Sequence, residues 1–238
     1  MPNLKVLDAA DASRRRGRRL ALREYHRYQK EVPNLIRQLG GPTQVAHDRA
    51  FRLLSKMADA ATDELLAALA DPTLDPDAAD EVVSLLGRAG DARAIEPIWA
   101  FFQANRHDLE RASTAALSLS FLGNERVLPY LRESLKTGDN ERVANAATAM
   151  IAVGHMEDIP RLRTVHRQFK ADTEIRMGVA NAILSILGEA DQATLEREMD
   201  DIQGSLADCD LWSDIWALME QSFGPDHSLH RRPSPRKR

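Results

Sequence analysis

Asp108-Leu109-Glu110-Arg111-Ala112 opens, and Phe121-Leu122-Gly123-Asn124-Glu125-Arg126-Val127-Leu128-Pro129 closes, the stretch whose reading decides the fold. Asp108 suits a helix N-cap, where its carboxylate accepts backbone N–H bonds, and Glu110 suits the positive first turn. Gly123, fifteen residues on, suits the C′ position, where a left-handed backbone ends a helix. The next stretch out repeats this span: Asp139-Asn140-Glu141-Arg142-Val143 leads to Gly154, again fifteen residues later. Asp75 to Gly90 repeats it upstream, and Asp172-Thr173-Glu174-Ile175-Arg176 to Gly188 repeats it downstream with one extra residue. The glycines Gly90, Gly123, Gly154 and Gly188 stand 33, 31 and 34 residues apart. After each of the first three comes another helix with proline early, at Pro97, Pro129 and Pro160, where a missing N–H costs little. A fixed period of this size is the signature of a helical solenoid.

The pattern resembles the HEAT family, in its short, phycobilisome-lyase-like form. The resemblance is carried by Gly90-Asp91-Ala92-Arg93-Ala94-Ile95-Glu96-Pro97-Ile98, by 123–129, and by the Asp-x-Glu-Arg runs at Asp108 and Asp139 with their following paired alanines. It is good over 75–188 and looser on either side. It implies an all-α HEAT-type α-solenoid (an α-α superhelix) whose second helices line a concave face. It implies little about activity, because the family includes adaptors, chaperones for pigment attachment and a few nucleic-acid enzymes.

The remaining sequence extends the array to about six helical hairpins. Arg14 to Glu31 reads as a polar capping helix. Pro33–Leu39 with Thr43–Met57 and Ala61–Leu69 with Ala78–Leu86 form the first two pairs. Pairs three to five follow the glycine period, and Ala193–Ile202 with Leu211–Phe223 form the last. The expected organisation is a basic arm and cap at 1–30, a solenoid over 31–223 and a disordered basic tail at 224–238. Aromatic residues are 5% of the chain, which suits closely packed helices. A single cysteine, Cys209, excludes an intramolecular disulfide and predicts a reducing, cytoplasmic setting. No apolar run approaches the roughly 18 residues of a membrane span, so no membrane partner is expected. Met1 to Lys30 has no apolar core of a secretory signal.

Charge is divided by region. Residues 1–30 carry net +6, residues 224–238 net +4, and the body 31–223 net −14. Within the body, 191–223 holds nine acids against Arg197 alone. The clusters Arg14-Arg15-Arg16-Gly17-Arg18-Arg19 and Arg231-Arg232 with Arg236-Lys237-Arg238 read first as solvated termini. Phosphate contact is the alternative, so nucleic acid is a partner only through these ends. Arg111, Arg142 and Arg176 form a ladder expected to bridge repeats through acidic partners, which Asp108, Asp139 and Asp172 and Glu110, Glu141 and Glu174 could supply.

Catalytic patterns are poor. The seven histidines are scattered. His155 and Glu157 make half of a deaminase motif without its cysteines. There is no adjacent His-Glu pair of the HEAT-like hydroxylases, no Walker loop, no nucleophile elbow and no thiolate zinc site. Trp212, Asp214 and Trp216 echo the site of HEAT-like DNA glycosylases. Their spacing, continued by Met219 and Phe223 and widened by Leu211, Ile215 and Leu218, instead reads as the buried stripe of a terminal helix.

What remains is the inner face. Positions two, six, nine and thirteen after each capping Asp share one helical stripe. They are Asp77, Glu81, Ser84 and Arg88; Glu110, Thr114, Leu117 and Phe121; Glu141, Asn145, Thr148 and Ala152; and, one residue shifted, Glu174, Gly178, Asn181 and Ser185. Most are small or polar, and Leu117 and Phe121, four apart, adjoin as an apolar patch. Two readings compete with docking: a plain solvated face, and a rotated repeat that buries Leu117 and Phe121. The expectation is a scaffold or adaptor without catalysis or cofactor, binding a protein partner, basic in one version, through Glu81, Ser84, Arg88, Glu110, Thr114, Leu117, Phe121, Glu141, Asn145 and Thr148. The alternatives are a nucleic-acid-binding or base-repair protein and an accessory subunit of a bilin lyase. A further expectation assigns the acids of 191–223 to a basic segment, either the arginine run at Arg14 to Arg19 of another copy or a basic partner.

Overall fold

A computed structural model describes residues 17–223. The arginines Arg14, Arg15 and Arg16, the basic cluster from Arg231 to Arg238 and the expected tail at 224–238 lie outside these residues. All regular elements among the described residues are helices. They fall into two compact units divided between Val127 and Leu128.

The first unit holds α1 (17–28), α2 (Val32–Leu39), α3 (Gln44–Met57), α4 (Thr62–Leu69), α5 (Pro76–Ala89), α6 (Ile95–Ala104) and α7 (Leu109–Phe121). The helices pair as hairpins, α2 on α3, α4 on α5 and α6 on α7, and α5 and α7 stack side by side. The second unit holds α8 (Leu128–Ser134), α9 (Asn140–Val153), α10 (Ile159–Gln168), α11 (Thr173–Gly188), α12 (Gln192–Gly204) and α13 (Cys209–Phe223). Here α8 pairs with α9, α10 with α11 and α12 with α13, while α9, α11 and α13 stack in turn. Within each unit this is the solenoid arrangement that the glycine period predicts.

Local chemistry sets the helix starts. Asp75, Asp108, Asp139, Asp172 and Asp191 each accept a bond from a backbone N–H in the following turn, at 2.8–3.2 Å for the shortest bond of each. Each bond satisfies a donor that the helix itself leaves free. The ends divide into two kinds. Gly90 and Gly123 have φ of 74° and 70° and close α5 and α7 in the left-handed conformation, which costs a β-carbon dearly. Gly154 and Gly188 correct the expectation. Gly154 has φ −70° and ψ 149°, and Gly188 is the last residue of α11 itself. A Cβ on Gly154 would lie 2.6 Å from the Met150 carbonyl oxygen of its own helix and 2.7 Å from Ile186 Cδ1 of α11, so close approach explains this glycine and handedness does not.

Small residues let the capped helices stack. Ala112, Ala115 and Ala116 of α7 are fully buried, as are Ala147 and Ala149 of α9 and Ala180 and Ala182 of α11. Such side chains permit the short interaxial distances of ridge-and-groove packing. The tightest point is Gly87 of α5, where a Cβ would stand 2.7 Å from the Ser118 Cα of α7. Larger side chains fill the layer between each capped helix and its hairpin partner, with Leu85, Leu86, Ile98, Phe102 and Leu119 in the first unit and Met150, Leu162 and Ile183 in the second.

Candidate docking face

In the first unit, the stripes of α5 and α7 point away from this core. Glu110 and Arg88 are exposed, and Glu81, Ser84, Thr114 and Leu117 are half-buried. Phe121 leaves 47% of its surface in water. The rotated-repeat alternative therefore does not hold for α7, whose core residues are Ala112, Ala115, Ala116 and Leu119.

α3 adds two residues that the sequence analysis left out. His47 Nε2 meets Glu81 Oε1 at 3.1 Å, and the His47 ring stacks on Phe51 with centroids 6.4 Å apart. The Arg88 guanidinium lies 5.6 Å from the Phe51 ring centroid, within cation–π range. Burial pulls the His47 imidazole down, but the carboxylates of Asp48 and Glu81 outweigh it and raise its pKa. No period marks His47 and Phe51, because α3 precedes the first capping Asp and its hairpin turns through Gly40-Gly41-Pro42 instead.

The face is polar at one end and apolar at the other. The C-terminal turns of α5 and α7 hold Arg88, which lies against Phe51, and Leu117 and Phe121. The N-terminal turns hold Asp77, Asp80, Glu81, Asp108 and Glu110. Arg111 serves three of these acids, at 3.2 Å from Asp80, 3.5 Å from Asp108 and 3.7 Å from Asp77. Asp80 remains poorly served, since its Oδ1 is buried without a hydrogen-bond partner. Burial pushes its carboxyl up to about 6 despite Arg111, and Asp108, Glu110 and Asp77 add to the rise.

In the second unit, Glu141 of α9 is exposed and Asn145 and Thr148 are half-buried. Ala152 and Asn181 are exposed, and Ser185 donates to the Ile151 carbonyl at 2.7 Å. This stripe has no counterpart of Phe121.

The arginine ladder is only partly as expected. Arg111 and Arg176 do reach acids of a neighbouring hairpin, but these are Asp80 and Asp214 and not only the in-register set. Arg142 departs from the pattern. It lies 5.9 Å from the Tyr130 centroid and donates to Ser134 Oγ at 3.4 Å, both in its own hairpin.

Asp201, Asp208 and Asp214 of the last hairpin are bound by arginines of their own unit. Arg163 binds Asp208 at 2.6 Å and also bonds Asp201, and Arg167 stands 3.4 Å from Asp208. Arg176 grips both Asp214 oxygens, at 2.7 and 2.9 Å, and His166 meets Asp214 at 2.8 Å. Burial alone would raise the Asp208 and Asp214 carboxyls. Arg163 with Ser205, and Arg176 with His166, outweigh it and hold both below the usual range. Asp214 is therefore a buried ion-pair partner, while Trp216 is 6% exposed in the stripe with Leu211, Ile215 and Met219. Asp214 and Trp216 are therefore packing residues, and Trp212, half-buried, has its ring centroid 6.0 Å from that of Trp216. The cleft of about 680 Å³ beside α8 and α10 is similar in kind: Arg132 there is bound by Asp158 at 2.8 Å and by Glu157.

Residues 62–152, from α4 to α9, match the model of the HEAT repeats family. This stretch is a HEAT-repeat array. Its repeats include every stripe residue named above for docking, together with the caps Asp75, Asp108 and Asp139. Among solved structures, the chain is similar to the complex of CpcE and CpcF of phycocyanin lyase from Nostoc sp. PCC7120, with 19% identity over 74% of this chain and 71% of that chain and a TM-score of 0.46. No curated protein matches the sequence. No helix among the described residues is long and apolar enough to cross a membrane.

Proposed function

We propose that the chain is a non-catalytic scaffold that binds a protein partner on the α3–α5–α7 face of its first unit. The observation that carries this reading is Phe121, 47% exposed beside Leu117 on a stripe otherwise small or polar. An exposed aromatic next to an aliphatic side chain and rimmed by charge is the composition of an interface centre. The HEAT repeats agree, because stacked hairpins present side chains from successive helices on one surface. The stripe of α9, with Glu141, Asn145 and Thr148, offers a polar surface of its own.

The test compares the native chain with Phe121→Ala in quantitative pulldowns from the source cell. The variant should keep its melting temperature within a few degrees and lose a specific partner. Retention of every partner at native levels would remove the reading. Absorbance of the native preparation separates other classes, since bound nucleic acid raises the 260 nm band and a bound pigment absorbs in the visible.

A further inference from the structure

The outer side of α1 is basic along its whole length. Arg18, Arg19, Arg23, His26 and Arg27 are all exposed. The opposite side faces the protein. Ala21 is buried there, and Glu24, Tyr25 and Tyr28 are half-buried. The Tyr25 hydroxyl fixes this orientation by donating to Glu64 of α4 at 2.5 Å. Glu24, the one acid of α1, therefore lies away from the outer side. Arg19, Arg23 and Arg27 follow at intervals of four, so they form one stripe with steps of about 6 Å along the helix.

These arginines have no carboxylate of their own. Among the described residues, Arg18, Arg19, Arg23 and Arg27 make no ion pair, and the Arg27 guanidinium lies 5.2 Å from the Tyr28 ring centroid. In the same unit, Arg93 is matched with Asp63 and Asp91, Arg111 with Asp80 and Arg126 with Glu96.

Three kinds of partner carry the opposite charge, and the stripe fits one of them. A protein interface is depleted of charge at its centre, whereas this stripe has arginine there. A membrane-surface helix buries an apolar face in the lipid. Leu20 and Leu22 are 54% and 49% exposed, but they point about 160° apart at about 100° per residue. They occupy the two flanks, while Ala21 and the tyrosines are turned to the protein. A nucleic-acid duplex needs no apolar face, because each phosphate neutralised by arginine releases a condensed counterion. Over the roughly 12 Å from Arg19 to Arg27 a duplex presents about seven charges, enough to serve every guanidinium. Single strands are held by aromatic side chains that stack on the bases, and α1 keeps Tyr25 and Tyr28 on its inner side.

We propose that α1 binds the phosphate backbone of a nucleic-acid duplex through Arg19, Arg23 and Arg27, independently of base sequence. This surface shares no residue with the α3–α5–α7 face, and neither reading depends on the other.

The full-length chain is titrated into fluorescent DNA duplexes of two unrelated sequences, each of about 20 base pairs and so longer than the stripe, with anisotropy as the readout. Both should bind equally. The logarithm of the association constant should fall linearly with the logarithm of salt concentration from about 20 to 150 mM, at about −0.9 per phosphate neutralised. Arg19→Gln, Arg23→Gln and Arg27→Gln should each make the slope shallower by about 1, and the triple variant by about 3. Arg19→Lys, Arg23→Lys and Arg27→Lys together keep the charge and should keep the slope. Arg126→Gln, at an exposed arginine already paired with Glu96, should leave it unchanged. No binding at about 20 mM salt, where counterion release is most favourable, overturns the proposal. So does a slope unaltered in the triple glutamine variant, an equal change in Arg126→Gln, a preference for one of the two sequences, or tighter binding to phosphatidylserine vesicles than to either duplex.

Discussion

Phe121 occupies the last turn of α7 with 47% of its surface in water, whereas Phe102 of α6 is 1% exposed. Truncating a buried phenylalanine costs about 3–5 kcal/mol because transfer energy and cavity energy add. Phe102→Ala should approach that cost and Phe121→Ala should fall near 1 kcal/mol by the same scaling, as read from urea unfolding midpoints. Equal losses would mean that Phe121 is core. Asp80 allows a test by pH. Its carboxyl, ordinarily 3.8, is pushed up to about 6 in the fold. A raised carboxylate favours the protonated native form, so its contribution to stability is complete below the unfolded pKa and is lost as pH rises through the folded one. Asp80→Asn should remove that part of the slope, so the variant should gain on the native chain between pH 4 and pH 7 in paired thermal melts. A difference that stays flat over this window would contradict the assignment. At this scale the sequence was informative where the signal is local. Asp108 and Gly123 announce a cap and a left-handed end by residue type and spacing. Gly154 looks the same in one dimension, yet its reason is the close approach of the Met150 carbonyl and of Ile186, 32 residues away.

The helices differ in what binds them to their neighbours. α5 and α7 meet through Gly87 and Ser118 with no space for a methyl group. Gly87→Ala should cost about 1–3 kcal/mol, the usual range for overpacking, although alanine is the better helix former. Stabilisation by this change would show that the two helices are not in such close contact. The last hairpin is held differently, with an apolar stripe and an ionic clasp. Arg163→Ala leaves the Asp208 carboxylate, 1% exposed, with Ser205 and with Arg167 at 3.4 Å. Breaking one side of a buried pair typically costs about 3–5 kcal/mol, and the loss should appear as early unfolding of α12 and α13 in hydrogen exchange. The lowered carboxyls of Asp208 and Asp214 add that this clasp weakens as pH falls below the ordinary carboxylate range and through their lowered folded values. The stripe is legible in the chain, but the partners of the clasp are not. The partners lie 38 to 48 residues apart, and an excess of acids in 191–223 is the same sequence signal whether arginines of an earlier hairpin or a foreign protein neutralise it.

At the scale of the whole molecule, composition and period were enough for the all-α class, because a repeat must bury its face on the next repeat. A far-ultraviolet circular dichroism spectrum should therefore be helical, and a strand signature would contradict it. The candidate face was legible where it follows the period, on α5 and α7. It was illegible at His47 and Phe51, since α3 stands outside the capped series and the stacking of Arg88 on Phe51 is a tertiary event. Function depends on whether that face is covered in the cell, and photo-cross-linking from the face tests this most directly. A benzophenone analogue of phenylalanine placed at Phe121, the least disruptive substitution there, is activated in the source cell and compared with the same group at Gln103, an exposed position on α6. The account expects a discrete protein adduct from position 121 and none from position 103. Equal labelling from both positions, or no adduct from position 121, would contradict it.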